Sequence, residues 1–165
     1  TLIFTAFTAE EIGGYGSKYF AQHIPAENIK AMINIEMIGK ASKFGSGKFW
    51  MTGAERSNLI DILNDSLRKN NDKIHADPYP QEQLFYRSDN ATLARLGVPA
   101  HSFSTTQLDK DEHYHKASDE VETLDLDSMT KVIKALALAT QGLAQGKVAP
   151  TRIDTSKVRA SGKIY

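Results

Sequence analysis

Apolar and polar residues alternate along this chain in blocks that predict strands and helices. Four apolar runs have the length and the β-branched or aromatic content of strands; they cover residues 1–7, 29–38, 48–52 and 98–104. The residues between them predict helices over 14–22, 54–71, 88–96 and 123–145. In the second of these, Leu59, Leu63 and Leu67 recur every fourth position and mark one apolar face. Strands that alternate with helices predict an α/β fold.

Two of the runs, 1–7 and 29–37, are apolar on both faces. Central strands of a parallel sheet have this composition because helices cover them on each side. We therefore expect these runs to be neighbours in the middle of a sheet of four or more strands. The chain opens inside the first run and without Met, which suggests part of a longer precursor. An unpaired sheet edge recruits other chains, so self-association through such an edge is expected.

Composition and charge narrow the classes of function. The 165 residues include 20 Lys and Arg and 20 Asp and Glu, so the charge indicates neither nucleic acid nor an anionic membrane as a partner. No apolar run is long enough to span a bilayer. Without cysteine, any metal has to bind to His and carboxylates. The length suits one domain over 1–146, and the basic composition of 147–165 predicts a flexible tail.

Residues that can bind a metal lie near or after the ends of three of the apolar runs. Glu10 and Glu11 follow the first run, Glu36 lies near the end of the second, and His113 and His115 lie in the long loop 105–122 after the fourth. Adjacent side chains point in different directions, so one carboxylate of the pair can bind a metal while the other takes a proton. Carboxylate and imidazole ligands suit a catalytic zinc with an open coordination position.

Each of these features also has a structural explanation. A Glu-Glu pair after a strand can be part of a solvated loop. A carboxylate inside an apolar strand is costly unless it is paired or bound to a metal, and Lys40 could form an ion pair with Glu36. The acidic loop around His115 can be a solvated loop as well as a cation site.

Four segments, in order, resemble the zinc aminopeptidases of metallopeptidase family twenty-eight, which include bacterial leucyl aminopeptidases and glutamate carboxypeptidase. They are FTAEEIGGYGSKYF, NIEMIGK, RSDNATLARLGVPA and YHKASDEVETLD. The resemblance extends over 1–145 and implies the C-terminal part of a three-layer α/β/α domain with a mixed, mostly parallel sheet. It also implies a secreted or periplasmic protein that acts on the N-termini of peptides.

The resemblance implies a role for each candidate residue. Glu10 matches the general base, Glu11 and His115 match ligands of one zinc, and Glu36 stands where the family usually has an Asp that binds a second zinc. His113 is the alternative to His115. The implied reaction removes the N-terminal residue from a peptide at a two-zinc site.

The chain departs from the family pattern in three respects. The family's remaining His ligand and its metal-bridging Asp lie upstream of the Glu-Glu pair, so the resemblance implies that this chain lacks them and is inactive by itself. Glu36 is one methylene longer than Asp. Asn90 stands where many relatives have His. Apart from these three departures, Tyr86 lies near, but does not align with, a tyrosine that some relatives use to polarise the substrate carbonyl.

Two other functions are compatible with the same fold. One is a glutaminyl cyclase, a transferase that uses one zinc and cyclises N-terminal glutamine. The other is a peptidase-like binding module that has lost catalysis, as in the transferrin receptor ectodomain. Glu10, Glu11 and His115 favour an enzyme, because a module without catalysis does not need them.

Overall fold

The computed structural model describes residues 1–162 and has a four-stranded sheet at its centre. The strands are β1 (Met32–Ile35), β2 (Trp50–Met51), β3 (His75–Ala76) and β4 (Ala100–Ser104). Their order across the sheet is β1-β4-β2-β3. β1 is parallel to β4 and β2 is parallel to β3, whereas β2 and β4 are antiparallel. The sheet is therefore mixed and mostly parallel, which confirms the prediction.

Helices cover both faces of this sheet. They are α1 (Tyr15–His23), α2 (Leu59–Leu67), α3 (Asn90–Ala94) and α4 (Leu126–Ala144). α2 and α4 pack on the face that carries Met51 and Phe103, and α1 and α3 pack on the face that carries Ala100. This arrangement confirms the three-layer α/β/α fold. None of the helices in the described residues is long and apolar enough to cross a membrane.

The apolar run 1–7 is not a strand, so the prediction that it lies in the middle of the sheet is wrong for this chain. Leu2 and Ile3 are each 61% exposed and Phe4 is 92% exposed. An extended segment is stable only when its backbone groups find hydrogen-bond partners, and no strand of the described residues pairs with this one. Phe7 is held by an edge-to-face contact with Phe20 of α1, with 5.5 Å between ring centroids.

The second predicted central strand is short and lies at a sheet edge. β1 covers only Met32–Ile35 of the run 29–38, and its partner in the described sheet is β4. Ile35 is 51% exposed. The predicted central position is therefore wrong, because the run that should have covered the other side of β1 does not pair with it. Self-association through this edge stays a prediction.

The chain after α4 packs on the domain, in contrast to the flexible tail expected from its composition. Ile153 and Val158 are buried in the cluster that contains Leu93 of α3. The Arg152 guanidinium donates hydrogen bonds at 3.1, 2.9 and 3.0 Å to the carbonyl oxygens of Ala26, Ile29 and Leu96. These contacts hold the segment against the domain, because its apolar side chains are buried and the guanidinium of Arg152 is hydrogen-bonded. Residues 163–165 of the predicted tail lie outside the described residues.

A buried histidine on β4 makes the stability of this fold depend on pH. The ring of His101 is 0% exposed. Its Nδ1 lies 2.8 Å from the carbonyl oxygen of Thr52, and its Nε2 lies 2.8 Å from the hydroxyl of Ser57. Burial lowers the pKa of His101 from 6.5 to about 4, although the hydrogen bond to Thr52 opposes this shift. The native chain therefore holds His101 in its neutral form.

Stability is expected to fall as the pH drops from 6.5 to about 4, because the unfolded chain takes up a proton there and the native chain does not. A shift of this size corresponds to about 3 kcal/mol at the acid end of the interval. Urea denaturation at several pH values measures it, and His101→Gln provides a comparison that cannot titrate. The same acid-induced loss in both proteins would contradict the prediction.

Candidate functional site

A cavity of about 360 Å³ lies at the carboxyl ends of the parallel strands β1 and β4. It is bounded by these strand ends, by the turn before α1 and by the loop between β4 and α4. Its lining includes Glu10, Glu11, Glu36 and His115. Ligands of α/β proteins bind at this edge of the sheet. Four residues that are distant in the sequence thus lie around one cavity.

The Glu10–Glu11 pair is held by a turn that requires glycine. The N–H of Gly14, in a left-handed conformation with φ 63°, donates to the carbonyl oxygen of Glu10 at 3.0 Å. The N–H of Gly16 donates to the carbonyl oxygen of Thr8 at 3.0 Å, and a Cβ at Gly16 would lie only 2.7 Å from the Thr8 nitrogen. Glycine at position 16 therefore lets α1 begin directly against the chain that carries the pair.

Left-handed backbone conformations occur at or beside the candidate residues. Ala9 precedes Glu10 and has φ 60°, Met37 follows Glu36 and has φ 46°, and His115 itself has φ 56°. Such conformations are costly for residues other than glycine and are concentrated at functional sites. The backbone is thus an independent reason to place a functional site here.

Glu11 and His115 meet at the cavity. Oε2 of Glu11 lies 3.2 Å from Nε2 of His115, and the two side chains are 67% and 52% exposed. Two ligands of a tetrahedral zinc lie about 3.3 Å apart when each bond is about 2.0–2.1 Å, so the separation fits a shared ion as well as a direct ion pair. The ring of Tyr114 stacks on His115, with centroids 3.9 Å apart. Nδ1 of His113 instead lies 3.1 Å from the hydroxyl of Ser118.

Glu36 lies on the inner side of the cavity, directly after β1. Burial raises the pKa of its carboxyl group, while hydrogen bonding with the side chains of Ser88 and Ser102 opposes that rise. The side-chain amide of Asn34 donates to both hydroxyl oxygens at 2.8 Å. Polar groups from β1, β4 and the start of α3 therefore surround this carboxylate.

Glu10 is surrounded by negative charge. Burial, followed by the carboxylates of Glu36, Glu11 and Asp89, raises the pKa of Glu10 to about 7 in the metal-free chain, and the guanidinium of Arg87 opposes the rise. A carboxyl group that titrates near neutral pH has a proton affinity suited to general acid–base chemistry.

The described residues form part of a metal site. Within 1–162, no group of three or more His, Asp or Glu side chains is close enough to hold one ion. Glu11 and His115 could supply two ligands to one zinc, and Glu36 could supply one to a second position. A catalytic zinc normally has three protein ligands. The carboxylate and imidazole groups present are of the types that bind zinc, but the described residues supply fewer than three to either position.

Two residues that were compared with the family pattern lie outside the cavity lining. Asn90 is fully buried and accepts a hydrogen bond from the hydroxyl of Ser102 at 2.9 Å. Tyr86 packs edge-to-face on Phe85, and its hydroxyl accepts a hydrogen bond from the N–H of Arg159 at 3.3 Å. Asn90 thus supports the polar groups around Glu36, and Tyr86 belongs to the core.

Most of the lining was not identified from the sequence, including Trp50, Arg87, Asp89, Thr106 and Tyr114. Tyr114 directly precedes His115, and Arg87 and Asp89 stand in the RSDN segment. Their positions beside a candidate ligand or within a segment that resembles the family could have indicated that they lie near the site. Trp50 carried no such signal, because it reaches the cavity only through the pairing of β2 with β4. Thr106 lies two residues after β4, at the start of the loop 105–122.

The loop that carries His115 is anchored by Lys40. Nζ of Lys40 lies 2.8 Å from Oδ1 of Asp111 and 3.2 Å from Oδ1 of Asp119. The Asp111 side chain is only 6% exposed, whereas that of Asp119 is 42% exposed. Lys40 therefore pairs with the loop, and the alternative in which it pairs with Glu36 is not observed.

Lys40→Met is expected to lower the free energy of unfolding by about 1–3 kcal/mol, because it leaves the buried Asp111 carboxylate without its charged partner. Asp119→Asn removes only an exposed pair and is expected to cost about 0–1 kcal/mol. Urea denaturation of both variants makes the comparison, and Lys40→Arg should restore most of the loss. Equal, small effects of Lys40→Met and Asp119→Asn would contradict the anchoring role.

Comparison with known proteins identifies the family. The model of Peptidase family M28 matches residues 1–140. The chain belongs to this family. It is also 31% identical over 146 residues to proteins named "Probable leucine aminopeptidase" from Arthroderma benhamiae and Trichophyton verrucosum. The match includes 86% of this chain and 39% of each relative, so the chain spans about two fifths of their length.

Solved structures share the fold of this chain. Two crystal structures of the LapA aminopeptidase of Legionella pneumophila superpose with a TM-score of 0.64. They are 23% and 24% identical to this chain, and the match includes 82% and 81% of it and 37% of each LapA chain. At this identity the likeness concerns the fold, and membership in M28 makes the chain part of a peptidase domain.

Proposed function

We propose that this chain is part of the catalytic domain of a zinc aminopeptidase that removes N-terminal residues from peptides. In this proposal Glu11 and His115 hold one zinc, Glu36 holds a second, and the remaining ligands come from a part of the protein upstream of Thr1. The observation that carries the proposal is the approach of Glu11 Oε2 and His115 Nε2 to 3.2 Å beside a cavity that Glu10 and Glu36 also line.

Glu10 acts as the general base in this reaction. It accepts a proton from the attacking water and returns it to the leaving amine as the peptide C–N bond breaks. Zinc, when bound, acidifies water and stabilises the negative charge that develops on the carbonyl oxygen. The turn before α1 presents Glu10 and Glu11 together, so that one carboxylate is free for proton transfer while its neighbour binds metal.

Substrate assays on the complete protein test this proposal. We expect hydrolysis of a leucine anilide that is abolished by a chelator and restored by zinc. Cyclisation of a glutamine-led peptide without anilide hydrolysis would favour a glutaminyl cyclase. A protein that binds peptides and turns over neither substrate would favour a non-catalytic module. The relatives are named "Probable leucine aminopeptidase", which favours the first outcome.

A further inference from the structure

A short irregular segment before α3, residues 83–89, forms one wall of the cavity. Ser88 of this segment accepts a hydrogen bond from the side-chain amide of Asn34 at 2.8 Å, so the segment lies against β1, the strand that leads to Glu36. The segment contributes four residues to the lining: Leu84, Arg87, Ser88 and Asp89. We call residues 83–89 the cavity wall.

The cavity wall has little regular structure of its own. It contains one 3₁₀ turn, in which the N–H groups of Tyr86 and Arg87 donate to the carbonyl oxygens of Gln83 and Leu84, each at 3.0 Å. Gln83 has a left-handed φ of 54°, a conformation that is costly for a residue other than glycine. A segment with so few internal hydrogen bonds opens easily unless other parts of the protein hold it.

Arg159, in the segment after α4, holds the cavity wall through two residues that lie outside the lining. Its guanidinium lies over the ring of Tyr86, 5.2 Å from the ring centroid, and donates a hydrogen bond to Oε1 of Gln83 at 2.8 Å. The backbone N–H of Arg159 donates to the hydroxyl of Tyr86 at 3.3 Å. A planar guanidinium is suited to stacking on an aromatic ring while it donates hydrogen bonds.

Arg159 is itself held in place by the domain. Its carbonyl oxygen accepts a hydrogen bond from Nε of Arg95 at 3.0 Å. The guanidinium of Arg56 lies 5.3 Å from the centroid of the same Tyr86 ring and donates to the carbonyl oxygen of Lys157 at 3.0 Å. Two guanidinium groups therefore contact Tyr86, and both are tied to the segment after α4.

A second cavity, of about 400 Å³, lies between the cavity wall and the segment after α4. Its lining includes Gln83, Tyr86 and Arg87 of the wall and Arg159 of the segment. Arg87 also lines the first cavity. At Arg87 the wall thus has open space on both sides, and Arg159 supports it across the second cavity.

We propose that Arg159 is a positioning residue for the peptidase reaction. It holds Tyr86, and Arg87 follows directly in the chain and lines the cavity together with Glu10. Displacing groups at a reacting centre by about 1 Å can cost about 10²-fold in rate. The inference rests on the proposed function and deepens it, because it adds a residue outside the first cavity, and after residues 1–140 that the M28 model matches, to those that set its geometry.

Arg159→Met in the complete protein removes the guanidinium and keeps an unbranched side chain. We expect kcat for a leucine anilide to fall by about 5- to 50-fold with KM within about threefold of wild type, because the loss concerns the geometry of the reacting groups. Arg159→Lys keeps a cation over the ring and loses the planar fork, so it should recover part of the loss. Arg68→Met is the matched control, because Arg68 is 80% exposed and pairs with Asp65 away from the cavity.

Hydrogen exchange in the same variants separates a local loss of support from a general loss of stability. In Arg159→Met, the amide groups of Tyr86 and Arg87 are expected to exchange about 10-fold faster or more, because their turn opens more easily. The amide groups of α4 and β4 should exchange at the wild-type rate. Arg68→Met should leave both kcat and the exchange of the cavity wall within about twofold of wild type.

Wild-type kcat in Arg159→Met, or unchanged exchange at Tyr86 and Arg87, would contradict the inference and leave the proposed function intact. Equally faster exchange throughout the domain would also contradict it, because Arg159 would then contribute only to general stability. No anilide hydrolysis by the wild-type complete protein would overturn the proposed function, whereas the exchange measurement would still decide whether Arg159 holds the cavity wall.

Discussion

Glu10→Gln in the complete protein is expected to lower the turnover of a leucine anilide by about 10²–10⁴-fold, the usual contribution of a general base. The amide has nearly the same shape as the carboxylate and cannot accept the proton. The turn should persist, because the backbone carbonyl of Glu10, and not its side chain, accepts the hydrogen bonds from Gly13 and Gly14. Metal content should also persist, because Glu11 and not Glu10 is the proposed ligand.

Steady-state kinetics with zinc content measured on the same samples tests this expectation. Glu27→Gln is the matched control, because Glu27 is exposed in a turn outside the cavity lining. Turnover close to wild type in Glu10→Gln, with zinc retained, would remove Glu10 from the mechanism. A variant that loses both zinc and turnover would assign Glu10 to metal binding instead.

The chain alone is expected to hold zinc weakly and to be inactive. Glu11 and His115 offer two ligands at one position and Glu36 offers one at another, whereas a catalytic zinc normally has three protein ligands. In two-metal sites a shared carboxylate also screens the repulsion between the cations, and the resemblance places that residue upstream of Thr1. The loss of activity relative to the complete protein should therefore be nearly total.

Charge in the cavity adds to this effect. Without metal, the carboxylates of Glu36, Glu11 and Asp89 surround Glu10, and like charges at short range raise one another's pKa. Protons then compete with zinc for the same carboxylates near neutral pH. The guanidinium of Arg87 opposes this effect on Glu10, and it cannot replace the two metal ions.

Helices were predictable from the sequence because their signals are local. α4 was expected over 123–145 and runs over Leu126–Ala144. Apolar residues at helical spacing mark its buried face, and the side chain of Asp125 caps it by accepting a hydrogen bond from the N–H of Ser128 at 2.9 Å. α2 is shorter than the predicted 54–71 because tighter 3₁₀ turns flank it on both sides.

Strand positions were less predictable because they depend on partners that are distant in the chain. The run 1–7 has the composition of a buried strand and remains exposed, since nothing in the described residues pairs with it. β3 has only the two residues His75–Ala76 and lies between the predicted helices 54–71 and 88–96, where no strand was predicted. Composition indicates which segments can be strands, and pairing decides which of them are.

Glu10, Glu11 and Glu36 could be predicted because they lie at or shortly after the ends of apolar runs, and the carboxyl ends of parallel strands lie at one edge. The choice between His113 and His115 rested on the family resemblance, and in the structure His115 is the residue beside Glu11. Trp50 could not be predicted, because the antiparallel register of β2 and β4 that brings it to the cavity leaves no pattern in the sequence.

Equilibrium dialysis of this chain against zinc, with metal content and leucine-anilide hydrolysis measured afterwards, tests the proposed division of ligands most directly. We expect less than one tightly held zinc per chain and no turnover. The residual zinc binding should weaken further in His115→Ala and stay unchanged in the matched control His113→Ala. Two tightly held zinc ions per chain with good turnover would show that residues 1–165 supply every ligand, and would contradict the roles assigned to Glu11, Glu36 and His115.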